Sequence, residues 1–319
     1  MYPYLSIVIT TRNRKQLLIN EIKCLNLQKY RDFEVIIIDD NSKDKILISD
    51  LKIKKDIKCK IIKNNKKLSM AKSRNIGILN TTRLSKYILI LDDDNEFDEN
   101  FLTNLISKIS KHDFDIGQPR AFYSNKKDVM FFGFKYHLPS LIVKNIGRDK
   151  KKYPDYFEID SVGNCFLIKR EVINKIGIFD EKYVIDFSET EFCFRAKVAK
   201  FKISSINTNI YHQTMPDNNS HILKDRILNR PETYYYTFRN KFFIARDFFN
   251  VYNKILFIIL FQFVTLFAYL AYSIKVKSLR LFKSYFLGFV FGNVYFFFGK
   301  IISYEKVKKL FNNINWLSP

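Results

Sequence analysis

Cysteine is scarce in this 319-residue chain, and the four present, Cys24, Cys59, Cys165 and Cys193, show no CxxC spacing. That scatter excludes a disulfide framework and a cysteine zinc site; the thiols are expected to be reduced and mostly buried, in a cytosolic compartment. No GxGxxG follows the first apolar run, which disfavours a dinucleotide-dependent oxidoreductase. The opening MYPYLSIVITTRNRKQ has no basic stretch ahead of its short apolar run, so that run reads as a first strand and not a signal peptide. No helix-turn-helix, zinc or RNP-like motif accompanies the basic residues, which are spread along the chain; this counts against nucleic-acid binding. Acidic residues are few as well: 32 Asp and Glu face 54 Lys and Arg, a net charge of +22. Such an excess attracts anionic partners such as membrane surfaces or phosphates. A general drift toward Lys, Asn, Ile and Phe would supply part of it without any partner.

What is present is enough apolar residue, 47%, for a real core in one large or two modest domains. Over the first hundred residues, β-branched runs alternate with helical patterns. YLSIVIT, FEVIIIDD, CKIIKN and YILILDDD read as strands, and KQLLINEIKCLNLQ, NSKDKILISDLKIK and SMAKSRNIGILNTT as helices. Alternation with nearly continuous apolar strands predicts an α/β fold with a parallel sheet covered on both faces. Ligands of such sheets bind beyond the carboxyl ends of the strands. ITTRN, IIDDNS and LILDDDN all fall at that edge, and the three adjacent aspartates Asp92, Asp93 and Asp94 either meet a positive partner there or form a solvated loop end.

From about 104 to 210 the pattern is mixed and aromatic. HQTMPDNNSHILKDRILNRPE reads as a polar linker, and TYYYTFRNKFFIARDFF opens an aromatic and basic segment. Ile255–Ile274 is an uncharged stretch about the length of a bilayer span, and Ser284–Gly299 is a shorter apolar one. Between them stand Lys275, Lys277, Arg280 and Lys283. If both stretches spanned, this basic loop would sit opposite the basic N-terminal part, against the positive-inside tendency. Helices lying in the cytoplasmic interface fit better, with a spanning hairpin and soluble core helices as the alternatives.

SIVITTRNR, DFEVIIIDDNSKD, AKSRNIGI and YILILDDDN, in that order, closely resemble the nucleotide-binding half of glycosyltransferase family 2. GNCFLIKREVINKIGIFDEKYVIDFSETEFCFRA resembles that family's acceptor half, and IDFSETEFCFRA is nearest in wording to rhamnosyltransferase-like members, which read IDYVDxxxCLRA. The resemblance covers roughly residues 3 to 246. It implies the GT-A fold, a Rossmann-like, mostly parallel sheet flanked by helices, followed here by C-terminal membrane-associated helices. The implied organisation is a catalytic domain over 1–215, whose halves are 1–103 and 104–215, a connecting segment over 216–250, and membrane-associated helices over 251–319.

The implied activity is a metal-dependent, inverting transfer from a nucleotide-diphosphate sugar to a lipid-linked or cell-surface glycan at the cytoplasmic membrane face. The departing diphosphate calls for Mg²⁺ or Mn²⁺, which take oxygen ligands from one or two carboxylates. Asp92 and Asp94 match the family's Asp-x-Asp motif, with Asp94 the first choice as ligand and Asp92 and Asp93 toward the ribose and the metal's water shell. His212 is a further candidate at the metal. By the same resemblance Thr10 and Arg12 lie along the nucleoside, Asp40 and its neighbour Asp39 recognise the base, and Arg74 faces the diphosphate. An inverting transfer needs a general base. The motif position falls on Glu189, where the family has Asp, and Ser188 precedes it; Glu191 and Asp186 are competing candidates. That departure keeps a second reading open, a membrane-associated nucleotide-sugar-binding protein that has lost catalysis.

Overall fold

A computed structural model describes residues 3–149, 151–213, 231–303, 306, 307 and 309. In chain order its first elements are β1 (Leu5–Thr11), α1 (Lys15–Asn26), β2 (Phe33–Asp39), α2 (Ile48–Leu51), β3 (Lys58–Lys63), α3 (Met70–Leu79) and β4 (Tyr87–Asp92). The middle of the chain gives β5 (Asn95–Glu96), α4 (Phe101–Lys111), β6 (Ile116–Tyr123), β7 (Val129–Phe131), β8 (Phe134–His137), β9 (Ile142–Asn145) and β10 (Tyr156–Glu158). It continues with β11 (Cys165–Lys169), α5 (Arg170–Ile176), α6 (Ser188–Val198) and β12 (Ile203–His212). Two compact units result: Met1–Lys135 with Lys144–Glu181 and Glu189–Pro216, and Tyr136–Val143 with Lys182–Ser188 and Asp217–Pro319.

The first unit is built on a sheet ordered β10-β12-β6-β11-β4-β1-β2-β3. The pairs β1–β2, β2–β3 and β1–β4 are parallel, as the strand–helix alternation predicts, and β6–β12 in the mixed part of the chain is parallel too. The exception is β11, which runs antiparallel between β4 and β6. Its residues are buried on both faces like those of a parallel strand, so the apolar run carries no sign of its direction. Side chains alternate between two cores. Leu5, Ile7, Ile9, Leu89 and Leu91 pack on one face of the sheet, while Val8, Ile88 and Ile90 pack on the other. At the far end β3 is an edge strand, and its Lys58, Lys60 and Lys63 are exposed.

The helix expected over 41–54 is largely absent. Only Ile48–Leu51 is helical. Side chains satisfy the backbone there instead: Asp39 Oδ1 accepts from Ser42 N–H at 2.8 Å, and Asn13 Oδ1 accepts from Lys43 N–H at 2.8 Å. Asn41, at φ 59°, turns the chain, a conformation Asn tolerates.

In the second unit three helices follow, α7 (Pro231–Phe248), α8 (Val251–Lys275) and α9 (Leu279–Phe298). A π-turn over Phe257–Phe261 interrupts α8. Helix α9 packs closely on α7 through Gly288 and Gly292: a Cβ at Gly288 would come within 2.9 Å of the Tyr235 carbonyl oxygen, and one at Gly292 within 2.4 Å of Phe242. Only 17% of the most apolar window of α8 and 33% of that of α9 are buried, at mean hydropathies of 2.3 and 1.3. Ile259, Val264, Phe267, Leu279 and Phe298 stand exposed, which is not how core helices of a soluble domain behave. The polar linker expected after Tyr211 lies, from 214 to 230, outside the described residues.

Gly77 sets how closely α3 approaches β1, since a Cβ there would lie 2.2 Å from Val8 Cγ1. On an open helix Gly→Ala stabilises by up to about 1 kcal/mol. Gly77→Ala is expected to do the opposite, costing about 1–3 kcal/mol through overpacking; a urea midpoint unchanged or raised would refute the close fit.

Candidate functional site

Strand register builds the site. Thr10 on β1 stands beside Asp92 on β4, and Thr11 beside Asp39 on β2. The chain after β4 turns immediately, and β5 pairs with the end of β12, placing His212 opposite Asn95. The Gln213 amide donates to the Asp94 carbonyl at 2.8 Å. This short ladder is why a histidine more than a hundred residues away reaches the aspartates: His212 Nε2 lies 3.1 Å from Asp94 Oδ1.

The other Asp94 oxygen accepts from Arg14 Nη1 at 2.8 Å, and the same nitrogen reaches Asp93 Oδ1 at 3.0 Å. Burial alone would push the Asp94 carboxyl up, but His212 and Arg14 hold it below the usual range. Asp93 stays raised by burial, only partly offset by Thr11 and Arg14. Asp92 is pushed up to about 6, first by burial and then by Asp94 and Glu189, with Arg74 pulling the other way.

Arg74, on the first turns of α3, is 1% exposed. Its Nη2 donates to Asp92 Oδ1 at 3.0 Å and its Nη1 to Glu189 Oε1. The guanidinium also lies over Phe166 and Phe179, 5.8 and 6.0 Å from the ring centres. Burial opposes its charge, yet Glu189 and Asp92 raise its pKa above the ordinary arginine value. One buried cation therefore joins the aspartate run to Glu189.

The three candidate bases differ in their surroundings. Glu189 stands in the first turn of α6, its side chain 22% exposed. Glu191 is buried, and both its oxygens accept from Arg195, at 2.6 and 2.9 Å. Asp186 belongs to the second unit, where its carboxylate accepts from Phe187 N–H at 3.0 Å and from Thr237 Oγ1 at 2.9 Å.

Of the proposed nucleoside contacts, Thr10 Oγ1 donates to Met70 Sδ at 3.3 Å, and Arg12 is exposed. Asp39 is 1% exposed and caps its own turn through Ser42. Asp40 Oδ1 accepts from Asn64 Nδ2 at 2.9 Å and Leu68 N–H at 2.8 Å.

No group of three or more His, Cys, Asp or Glu side chains converges as a metal cage among the described residues. Mg²⁺ and Mn²⁺ do not need one, since substrate phosphates and water complete their shells. The carboxylate of Asp94 beside the imidazole of His212 is a donor set that fits such an ion.

Sequence reasoning passed over two residues. Arg14 stood in the TTRNR stretch beside Arg12, but only the left-handed Asn13, at φ 54°, decides which of the two meets the aspartates. Glu21, on the apolar face of α1 with Leu18, Ile22 and Leu25, is fully buried, and neither oxygen has a hydrogen-bond partner among the described residues. The four cysteines are free: Cys165 and Cys193 are buried, and Cys24 and Cys59 half-buried.

Comparison with known proteins adds relatives to this geometry. Residues 6–177 match the family model described as "Glycosyl transferase family 2". Amylovoran biosynthesis glycosyltransferase AmsB of Erwinia amylovora is 28% identical over 208 residues, 63% of this chain and 66% of that protein, so the chain spans about two thirds of that relative's length. A GalNAc(5)-diNAcBac-PP-undecaprenol beta-1,3-glucosyltransferase of Campylobacter jejuni is 33% identical over 112 residues, 34% of this chain and 35% of that one. Among solved structures, TarS 1–349 of S. aureus in complex with UDP-GlcNAc superposes with a TM-score of 0.60 at 17% identity, covering 92% of this chain and 81% of that chain.

Glu21 carries a pH prediction. Burial, and then the nearby Asp93 and Asp94, raise its carboxyl well above the ordinary value. A raised folded pKa means stability present at low pH is lost as pH rises from the unfolded value through the folded one. Glu21→Gln removes that loss, so its melting temperature relative to wild type should climb between pH 5 and pH 8. A difference constant with pH would show that Glu21 does not titrate this way.

Proposed function

This chain belongs to glycosyl transferase family 2, and from that premise we propose an inverting transfer of a sugar from a nucleotide-diphosphate donor to a lipid-linked or cell-surface glycan. The observation that carries the reading is the Arg74 bridge, which ties the aspartates at the donor end of the sheet to Glu189. In the proposed step the acceptor hydroxyl oxygen forms a bond to the sugar C1 as the bond from C1 to the diphosphate oxygen breaks. The hydroxyl proton passes to the Glu189 carboxylate, and the electron pair of the broken bond leaves on the nucleoside diphosphate. Glu191 is less suited, because Arg195 occupies both its oxygens.

Within the proposed catalytic domain, 1–215, Thr10 and Arg12 line the nucleoside, Asp39 and Asp40 shape the base-binding turn, and Asp92 and Asp93 face the ribose. Asp94 and His212 would hold a Mg²⁺ or Mn²⁺, which when bound supplies charge against the departing diphosphate. Arg74, bonded to Asp92 and Glu189, would bring its positive charge toward the diphosphate.

The exposed apolar helices α8 and α9 support association with a membrane, placed by this reading at its cytoplasmic face. Lys275, Lys277, Arg280 and Lys283 would meet lipid headgroups. A lipid-linked acceptor agrees with that placement and with the undecaprenol-linked substrate named for the Campylobacter relative.

A panel of UDP-glucose, UDP-GlcNAc, UDP-galactose, GDP-mannose and dTDP-rhamnose, each with and without Mn²⁺ or Mg²⁺, tests the reading by nucleotide release and thermal shift. At least one donor should give a metal-dependent response, and silence across the panel would sink it. Glu189→Gln should lower transfer by about 10²–10⁴-fold while donor binding persists; full turnover in that variant would move the base to Glu191 or Asp186. Asp94→Asn should lose the metal-dependent thermal shift but keep the fold, because Asn can still meet His212 and Arg14. An unchanged Mn²⁺ response would remove Asp94 from the metal.

A further inference from the structure

The three helices of the second unit bring tyrosines together at one end. Tyr234 stands in the first turn of α7, Tyr269 near the end of α8, and Tyr285 in the second turn of α9. The Tyr285 ring is stacked on that of Tyr269, 4.6 Å away at 18°, and lies 5.7 Å from that of Tyr234. Phe238, one turn after Tyr234 and 2% exposed, closes the group at 5.4 Å from Tyr269 and 6.2 Å from Tyr285. Tyr269 and Tyr285 stand within roughly two turns of the basic bend 275–280.

Ring packing explains the cluster but not its hydroxyls. A tyrosine drawn into packed surroundings ordinarily gives its O–H to a neighbour. The hydroxyls of Tyr234, Tyr269 and Tyr285 make no hydrogen bond among the described residues. The neighbouring cations are equally unspent. Arg239 and Asn240 use the polar side of α7 to donate to the carbonyls of Lys182, Ile185 and Asp186. Lys241 points elsewhere: its Nζ lies 5.6 Å from the centre of the Tyr269 ring. Neither Lys241 nor Lys275, Lys277 or Arg280 has a carboxylate partner among the described residues. No Asp or Glu occurs between Asp247 and Glu305, so α8, α9 and their bend offer none.

We infer that this corner is a headgroup site for a lipid-borne phosphate, with Lys241 supplying charge and the hydroxyls of Tyr234, Tyr269 and Tyr285 supplying donors. This rests on the reading of α8 and α9 as membrane-associated. An ammonium is a compact charge suited to phosphate, and a phenol O–H donates to its oxygens. Tyrosine favours the level of a bilayer where one end of the ring is apolar and the other wet. The occupant has to be anionic and apolar at once, because Phe263 and Phe267 on α8 are 43% and 67% exposed. A soluble nucleotide or an acidic peptide would leave those rings in water. A phospholipid of the bilayer and the phosphate of a lipid-linked acceptor present the same group.

The test titrates the full chain, in dodecyl maltoside micelles that carry no phosphate, with phosphatidylglycerol, undecaprenyl phosphate and inorganic phosphate, read by native mass spectrometry. At least one lipid should stay bound. Lys241→Met combined with Tyr269→Phe should weaken it about tenfold, while Lys254→Gln, at the other end of α8, should change it less than about twofold. Tighter binding of undecaprenyl phosphate assigns the site to the acceptor lipid; equal or tighter binding of phosphatidylglycerol assigns it to the bilayer. Unchanged lipid binding in the double variant overturns the proposal, as does an equal loss in Lys254→Gln or equal retention of inorganic phosphate. If the double variant does not fold, Tyr234→Phe with Tyr269→Phe, which keeps both rings, decides: a several-fold loss supports the site and unchanged binding overturns it. A wild type that floats with phosphatidylglycerol vesicles but holds neither lipid in micelles overturns the site alone. One that neither floats nor holds lipid overturns the membrane reading with it.

Discussion

Arg74 is a guanidinium taken wholly out of water, and such a charge has to be neutralised where it stands, at a cost of several kcal/mol if it is not. Asp92 and Glu189 provide that neutralisation, and much of the first unit follows from keeping them in reach. Helix α3 must lie close on β1, which Gly77 permits. Strand β4 must end at Asp92, level with Thr10. Helix α6 must begin where Glu189 meets the guanidinium. Removing either acid leaves a buried positive charge half-compensated, so chemistry and folding are joined at this point.

Legibility from the sequence follows the range of the forces involved. The strands β1, β2 and β4 were readable because burial on both faces leaves an unbroken apolar run. The aspartates stood out because like charges side by side require an opposite charge nearby. His212 was readable only through resemblance, and the ladder of β5 on β12 accounts for its arrival at Asp94. What escaped depends on tertiary partners. The direction of β11 leaves no trace in its composition. The stretch 41–54 has a helical pattern, yet hydrogen bonds from Asn13 and Asp39 outcompete it. Glu21 sits on an apolar helix face, where a lone acid reads as the polar side of the helix.

The second unit shows a division of labour between helix faces. Helix α7 uses one side for polar work on 182–186, and its aromatic residues receive α9 through two glycines. Helices α8 and α9 keep their outward surface apolar, and their joining loop and its flanks are basic. Family 2 membership accounts for the sheet and the aspartates, while the apolar helices of the second unit lie outside the matched residues 6–177.

The lysines of β3 bear on how two copies of the chain can meet. An edge strand offers unpaired amide and carbonyl groups to any other strand it meets, and Lys58, Lys60 and Lys63 put charge along that edge. A second copy approaching side by side would have to bring its own lysines against these. Part of the +22 charge therefore lies along an exposed strand edge, where it opposes side-by-side pairing of two copies.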